Sequence, residues 1–349
     1  MKQFLLSVIT IVYILLNSDF ANAQITDVIT NINQPTAIYK SGKDLYFGDF
    51  IGGLSKVDLS SSNPPITILT ANGTYRTAVD GTDLYVSRDS EGIISKLDIS
   101  TNNHTSSDII VNLDEPGGLA INGNDLYFTE VNLGQICKIN ISQPNPIKTI
   151  VASGLLYPSG LTLKDNYLYI AEAAGQVSKL DITVNNPTRT FIVTNLTNAT
   201  DIISIGNNLI VSDFGGSKVI LIDLNTPTPT VNDLIVNINQ PTGLFFDGTE
   251  LYISVFGDSK IVKFFDSSLS LKEINRNNQK IKIFPNPSSK FIQVSGLTKN
   301  EGYTIYNTLG TEIKSGSVSN NDQIEIRNLN NGLYLLKLKD GTTMKFLKE

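Results

Sequence analysis

The sequence predicts an all-β protein, a six-bladed β-propeller followed by a small Ig-like β-sandwich. Three observations carry that prediction. A unit near 42 residues recurs six times, its apolar residues follow a period of two rather than 3.6, and a change of charge near residue 276 marks where the period stops. A period of two excludes a helical solenoid, and four-stranded units near this length fit propeller blades. The expected division is a signal peptide over 1–23, the propeller over 24–275 and a separate domain over 276–349.

The chain opens on a targeting segment. Lys2 precedes the apolar run from Phe4 to Leu16, and Ala21-Asn22-Ala23 forms an A-x-A site, so cleavage between Ala23 and Gln24 is expected. The apolar run contains Ser7 and Thr10 and is shorter than the roughly 20 residues a membrane-spanning helix needs. The residue directly after the cleavage site is Gln24 rather than Cys, which excludes lipoprotein anchoring, and no later stretch is apolar enough for a transmembrane span. The mature protein is expected outside the cytoplasm.

Each repeat reads as a Pro-containing lead-in, a short apolar strand, a tight turn, L-Y-apolar, a Gly-containing turn and K-apolar-D. Its anchor leucines are Leu45, Leu84, Leu126, Leu168, Leu209 and Leu251, spaced by 39, 42, 42, 41 and 42 residues. One more β-branched run lies between most copies, as in ITIL (66–69), DIIV (108–111) and DLIV (233–236), so each unit supplies four short strands. Asp80-Gly81, Asn122-Gly123, Asp165-Asn166 and Asp247-Gly248 fall where hairpins need positive φ.

The sixth copy lacks its outer run. The mature N-terminus supplies one: DVITNINQPT (27–36) matches DLIVNINQPT (233–242) at eight of ten positions. Residues 26–32 are therefore expected to pair with the last propeller strand and close the ring, leaving no large open edge. SLSLKEI (268–274) is the competing candidate for that strand.

These units resemble the six-bladed propellers of the NHL and TolB-like class, and Leu126-Tyr127-Phe128-Thr129-Glu130 resembles the YWTD repeats of lipoprotein-receptor propellers. No repeated GH…WD pattern is present. The resemblance speaks to architecture, because one such fold hosts many unrelated activities.

Residues 24–275 carry 15 Lys+Arg and 26 Asp+Glu, whereas residues 276–349 carry 11 and 6, so a strongly acidic propeller precedes a basic tail. Seven short β runs follow residue 276, the pattern of a small sandwich. The tail closely resembles the type A sorting domain of the Bacteroidetes type IX (Por) secretion system. The matching pieces are Phe284-Pro285-Asn286-Pro287, Ile305-Tyr306-Asn307 with Gly310, Leu329 with Gly332-Leu333-Tyr334, and Lys345-Phe346-Leu347-Lys348, in the family's order. The resemblance implies recognition by the type IX translocon, removal of the tail by its sorting protease, and release or attachment at the outer-membrane surface. A carbohydrate-binding or adhesive sandwich is the plainer alternative.

Composition removes much chemistry. The chain has 27 Lys+Arg against 33 Asp+Glu, a net charge of -6, with one Cys and one His. A single Cys excludes an intramolecular disulfide framework and CxxC metal sites, a single His excludes multi-His zinc, and the acidic balance argues against nucleic acid. His104 lies in TNNHTSS, expected as a solvated outer loop, so a histidine-dependent triad or streptogramin-lyase-like chemistry is disfavoured. Cys137 shares a column with Ser55, Ser95 and Ser178 and reads as a small third-strand residue.

What remains is the channel mouth, where the lead-in loops and the loops between second and third strands share one face. The column after L-Y-x-x gives Asp49, Arg88, Glu130, Glu172, Asp213 and Val255. The lead-in column gives Thr36, Arg76, Gly117, Ser159, Thr200 and Thr242, with Asp201 replacing a small residue. Because blade two faces blade five in a six-fold ring, Arg76 and Arg88 should stand opposite Asp201 and Asp213. One reading is a polar mouth for a cation, sugar or peptide, with Phe50, Phe214 and Phe256 adding apolar contacts. The other is structural, since carboxylates at turns often accept N–H bonds of their own blade. No cofactor is required. The enzymatic alternative is a lactonase or esterase similar to the regucalcin/gluconolactonase family, with Asp201 and Glu130 or Glu172 holding calcium, although that family's early glutamate is replaced here by Gln34-Pro35-Thr36. The leading expectation is an exported binding module for an extracellular protein, peptide or glycan.

Overall fold

A computed structural model describes residues 24–349 except 62, 63, 72, 102, 103, 227, 267, 268, 270–280, 298, 308–310 and 340–342. The signal peptide and Gly310 lie outside the described residues, as does most of 268–274. The chain divides into two units, residues 1–272 and 273–349.

The first unit holds six four-stranded antiparallel sheets among the described residues. Their innermost strands are Pro35–Ser41, Arg76–Asp80, Pro116–Asn122, Pro158–Lys164, Ala199–Ile205 and Pro241–Phe246. Each contacts the next, and the sixth contacts the first, so the sheets form a closed ring around a channel. The N-terminal strand Gln24–Thr30 pairs antiparallel with Lys260–Phe265, from Gln24 opposite Phe265 to Thr30 opposite Lys260. The ring is thus closed by the N-terminus, as the internal match suggested.

The L-Y signature follows from the stacking of blades. Neighbouring residues of a strand point to opposite faces, and both faces of a blade are covered by its neighbours. Leu45 and Phe47 pack with Tyr252 and Ile261 of blade six, while Tyr46 packs with Leu84, Val86 and Leu97 of blade two. The same alternation recurs at Leu126 and Tyr127, which face blades two and four. All six anchor leucines are fully buried, each stabilising by roughly 1.5–3 kcal/mol relative to exposure. Close approach of inner strands needs small residues: a Cβ on Gly243 would collide with the Thr36 carbonyl oxygen.

The second unit is a sandwich of a three-stranded and a four-stranded sheet. The first contains Lys282–Phe284, Phe291–Ser295 and Gln323–Glu325; the second contains Glu301–Asn307, Glu312–Val318, Gly332–Leu338 and Thr343–Lys348. Alternate residues of both meet in one core that includes Ile292, Ile305, Ile324, Leu336 and Phe346. Among the described residues, no helix is long and apolar enough to cross a membrane.

Candidate ligand-binding face and the C-terminal tail

The acidic column at the ends of the second strands turns into its own blades. Asp49 Oδ1 accepts the N–H groups of Ile51 and Gly52 at 2.9 and 2.7 Å. Asp213 Oδ1 accepts those of Thr197 and Asn198 at 3.1 and 2.8 Å. Glu172 accepts the Leu156 N–H, the Ser178 hydroxyl and Arg189 Nη1. Glu130, completely buried, accepts the Asp114 N–H at 3.0 Å, Gln135 Nε2 at 2.6 Å and Lys148 Nζ at 2.9 Å. Burial pushes the Glu130 carboxyl up, but bonds from Lys148, the Asp114 N–H, Gln135 and Cys137 outweigh it and hold the group below its ordinary range. The Cys137 thiol donates to Glu130 at 3.2 Å as the Ser178 hydroxyl does to Glu172, which explains the shared column. Burial, reinforced by Glu130, pushes that thiol up to about 12.

Arg88 departs from its expected partner. It pairs with Glu91 and with Asp108 at 3.2 Å, both in blade two, and not with Asp213, whose oxygens are held by its own turn. The end of the second strand faces the outer strands of its own blade rather than the channel.

Arg76 and Asp201 do meet across the channel, with Arg76 Nε 3.4 Å from Asp201 Oδ1. Arg76 Nη2 also donates to the Thr200 carbonyl at 2.7 Å, and its guanidinium lies 4.1 Å from the Tyr75 ring centroid. Asp201 further accepts the N–H groups of Ile202 and Leu244, both at 2.9 Å. Burial pushes its carboxyl up, while Arg76 and these two N–H groups pull against that. The channel has a volume of about 210 Å³, with walls drawn from all six inner strands.

Strand register places Arg76 in a different column from the one expected. Arg76 pairs with Ser87 and Asp201 with Ser212, and each backbone N–H lies 3.0 Å from that serine's hydroxyl. Arg76 is therefore equivalent to Asp201, not to Thr200. At the corresponding inner positions the other blades carry Ala37, Gly118, Gly160 and Gly243, which leaves room for one large pair across the ring. The sequence signal was present, since these residues, Arg76 and Asp201 each lie eight positions before their blade's anchor leucine, but blade two has Thr74-Tyr75 in place of the proline and small residue that mark the lead-in in most other blades.

The lead-in hydroxyls act between blades. Ser159 Oγ donates to the Thr200 carbonyl at 2.8 Å, Thr200 Oγ1 to Pro241 at 3.3 Å, and Thr242 Oγ1 to Pro35 at 2.7 Å; Thr36 donates likewise to Thr74. Each hydroxyl satisfies a carbonyl of the following blade, so this column staples the ring. Tyr75, which takes the staple position in blade two, reaches the Ser159 hydroxyl at 2.8 Å.

The aromatic residues beside the column form a cluster. Phe256 stacks edge-on against Phe50 and Phe214, with centroids 6.0 and 5.7 Å apart. Blades five, six and one are adjacent in the ring, and N–H bonds from Phe214, Phe256 and Phe50 to the lead-in carbonyls of Asn198, Gln240 and Gln34 fix the three loops. Phe50 is 47% exposed while Phe214 and Phe256 are half-buried, so the cluster reaches solvent chiefly through Phe50 and its exposed neighbour Ile51.

His104 is not the freely solvated side chain expected. It is half-buried, with Nδ1 3.0 Å from the Asp98 carbonyl and its ring edge-on to Tyr46. Among the described residues, no three of His, Cys, Asp or Glu are grouped to hold a metal ion.

In the tail, Asn286 lies between two cis X-Pro bonds and bonds to Lys345 and Leu347 of the last strand. Tyr334 stacks on Phe346 at 5.5 Å, so motifs distant in sequence meet in one unit.

Residues 282–349 match the family of secretion system C-terminal sorting domains. No curated protein matches the chain in sequence. In fold it is similar to virginiamycin B lyase from Staphylococcus aureus (15% identity, 70% of this chain and 99% of that one, TM-score 0.54). It is also similar to an auxiliary nutrient binding protein from Bacteroides ovatus (11%, 70% and 76%, TM-score 0.59) and a putative glucose dehydrogenase from Thermus thermophilus (12%, 70% and 100%, TM-score 0.56). At these identities the likeness establishes a propeller fold and leaves chemistry open. The chain is a β-propeller protein carrying a type IX sorting tail, which directs it to the cell surface or the surrounding medium.

Proposed function

We propose that the propeller is a binding module whose contact surface is the face bearing Phe50, Phe214 and Phe256. The observation that carries this reading is the solvent-reaching aromatic cluster, Phe50 exposed over the half-buried Phe214 and Phe256, set on three bonded loops beside the channel. Aromatic groups on rigid loops offer large contact area at small entropic cost. Asp49, Glu130, Glu172 and Asp213 are held by bonds within their blades, and Arg76–Asp201 by bonds across the channel, which moves the expected site away from the charges. The ligand is then an extracellular peptide, protein or glycan with an apolar face. Removal of the tail by the sorting protease belongs to the same reading.

The lactonase reading has less support. Glu130 and Glu172 each hold a cation of their own blade, and Asp201 is engaged by Arg76, so calcium would have to displace all three arrangements. Lyase chemistry is also disfavoured: a histidine-to-alanine form of the S. aureus lyase is catalytically inactive, and the one histidine here packs against Tyr46. Binding to panels of oligosaccharides and peptides tests the proposal. A ligand that binds wild type and Arg88→Ala but fails with Phe256→Ala is expected; a ligand indifferent to Phe256 would move the site elsewhere.

A further inference from the structure

The C-terminal strand Thr343–Lys348 pairs on one side with Gly332–Leu338. An outer edge of that kind ordinarily frays or recruits a strand from another chain. Here residues 286–288 run along it. Asn286 Nδ2 donates to the Lys345 carbonyl at 3.0 Å, and the Leu347 N–H donates to Asn286 Oδ1 at 2.9 Å. Two residues on, the Ser288 N–H donates to the Leu347 carbonyl at 2.9 Å, and the Glu349 N–H to the Ser288 carbonyl at 3.1 Å, in a parallel bridge. One side-chain amide thus mimics a peptide group and extends a one-residue bridge into a clasp. With the edge occupied, Phe346 and Lys348 are buried, while Lys345, Leu347 and Glu349 face solvent.

We propose that Asn286 is a positioning residue for export: its amide clasps the final strand, so that the type IX apparatus meets that strand through its exposed side chains, its edge being closed. The proposal rests on the sorting-tail assignment. It gives one role to the contact between Phe284-Pro285-Asn286-Pro287 and Lys345-Phe346-Leu347-Lys348, which lie at opposite ends of the tail in sequence. Glycine or alanine at 286 could keep the turn but offers neither the donor nor the acceptor.

The full-length protein with Asn286→Ala, Asn286→Asp or Ile292→Val, expressed in a bacterium that has the type IX system, tests this. Ile292 is a buried core residue of the same domain, so its loss of a methyl destabilises without opening the edge. Asn286→Ala should speed amide exchange at Leu347 by roughly tenfold or more and leave the protein in the periplasm. Asn286→Asp keeps the acceptor for Leu347 but loses the donor to Lys345, and should be exported to an intermediate extent. Ile292→Val should be exported normally. Export of Asn286→Ala at the wild-type level, unchanged exchange at Leu347, or equal loss of export in Ile292→Val would overturn the proposal. Deletion of 282–349 is the separate control: normal export of that truncation would defeat the sorting assignment itself.

Discussion

The third and fourth blades bury an acid among partners of one blade, whereas the fifth buries Asp201 against an arginine that the second sends across the channel. Glu130 and Glu172 each gather a backbone N–H, a third-strand donor and a cation from a single blade. Asp201 receives Arg76 from the opposite side of the ring and an N–H from blade six. The first arrangement fastens a turn to its own sheet; the second ties together blades far apart in sequence. Both satisfy a desolvated carboxylate, since burial without partners would cost several kcal/mol.

The largest expected effect that separates the two is Glu130→Ala. It removes the acceptor for four donors and should destabilise the propeller by about 3–5 kcal/mol in a denaturant titration, as breaking a buried pair does. The thiol of Cys137 would remain unreactive in the folded wild type at pH 8, because burial holds it far above that pH.

The pH dependence should have opposite signs at the two acids. Glu130, held below its ordinary 4.5, contributes stability that is present above that value and lost as pH falls through its folded pKa. Asp201, raised above 3.8 by burial against the pull of Arg76, contributes stability below that value that is lost as pH rises through its folded pKa. Acid unfolding curves should therefore fall less steeply for Glu130→Gln and more steeply for Asp201→Asn than for wild type. Parallel curves would break the distinction.

Smaller effects test the flanking positions. Thr242→Val removes one neutral interblade bond and should cost about 1 kcal/mol, measured by the shift in denaturation midpoint. Arg88→Ala should cost about 1 kcal/mol or less, since its Asp108 partner is half exposed and its contacts stay within one blade.

The sequence was most legible where a residue's neighbours are dictated by the repeat. Leu126 and Tyr127 must point to opposite faces, both faces are buried, and the pair recurs in most blades as a visible signature. Closure was legible because residues 27–36 repeat residues 233–242 at eight of ten positions, so Gln24–Thr30 occupies the outer-strand slot that Thr230–Val236 fills in blade five. The site was less legible. Arg76 lies eight residues before Leu84 as Asp201 does before Leu209, but blade two carries Thr74-Tyr75 where four other blades carry Pro followed by Thr, Gly or Ser, so the lead-in pattern alone set Arg76 beside Thr200. Direction was hidden too: Arg88 and Asp213 sit at equivalent strand ends, yet a strand end says nothing of whether its side chain faces the channel or its own outer strand. In the tail, Asn286 was recognisable as part of a motif, but its hold on Lys345 and Leu347 joins residues about sixty positions apart and needed the sandwich to be seen.

The central claim is that charge at the channel holds the ring together and that recognition lies on the aromatic face beside it. A double-mutant cycle of Arg76→Ala and Asp201→Ala, followed by denaturant unfolding of the propeller transition, tests its first half directly. The predicted result is a coupling of about 1–3 kcal/mol between the two positions. Additivity within about 0.5 kcal/mol would contradict it.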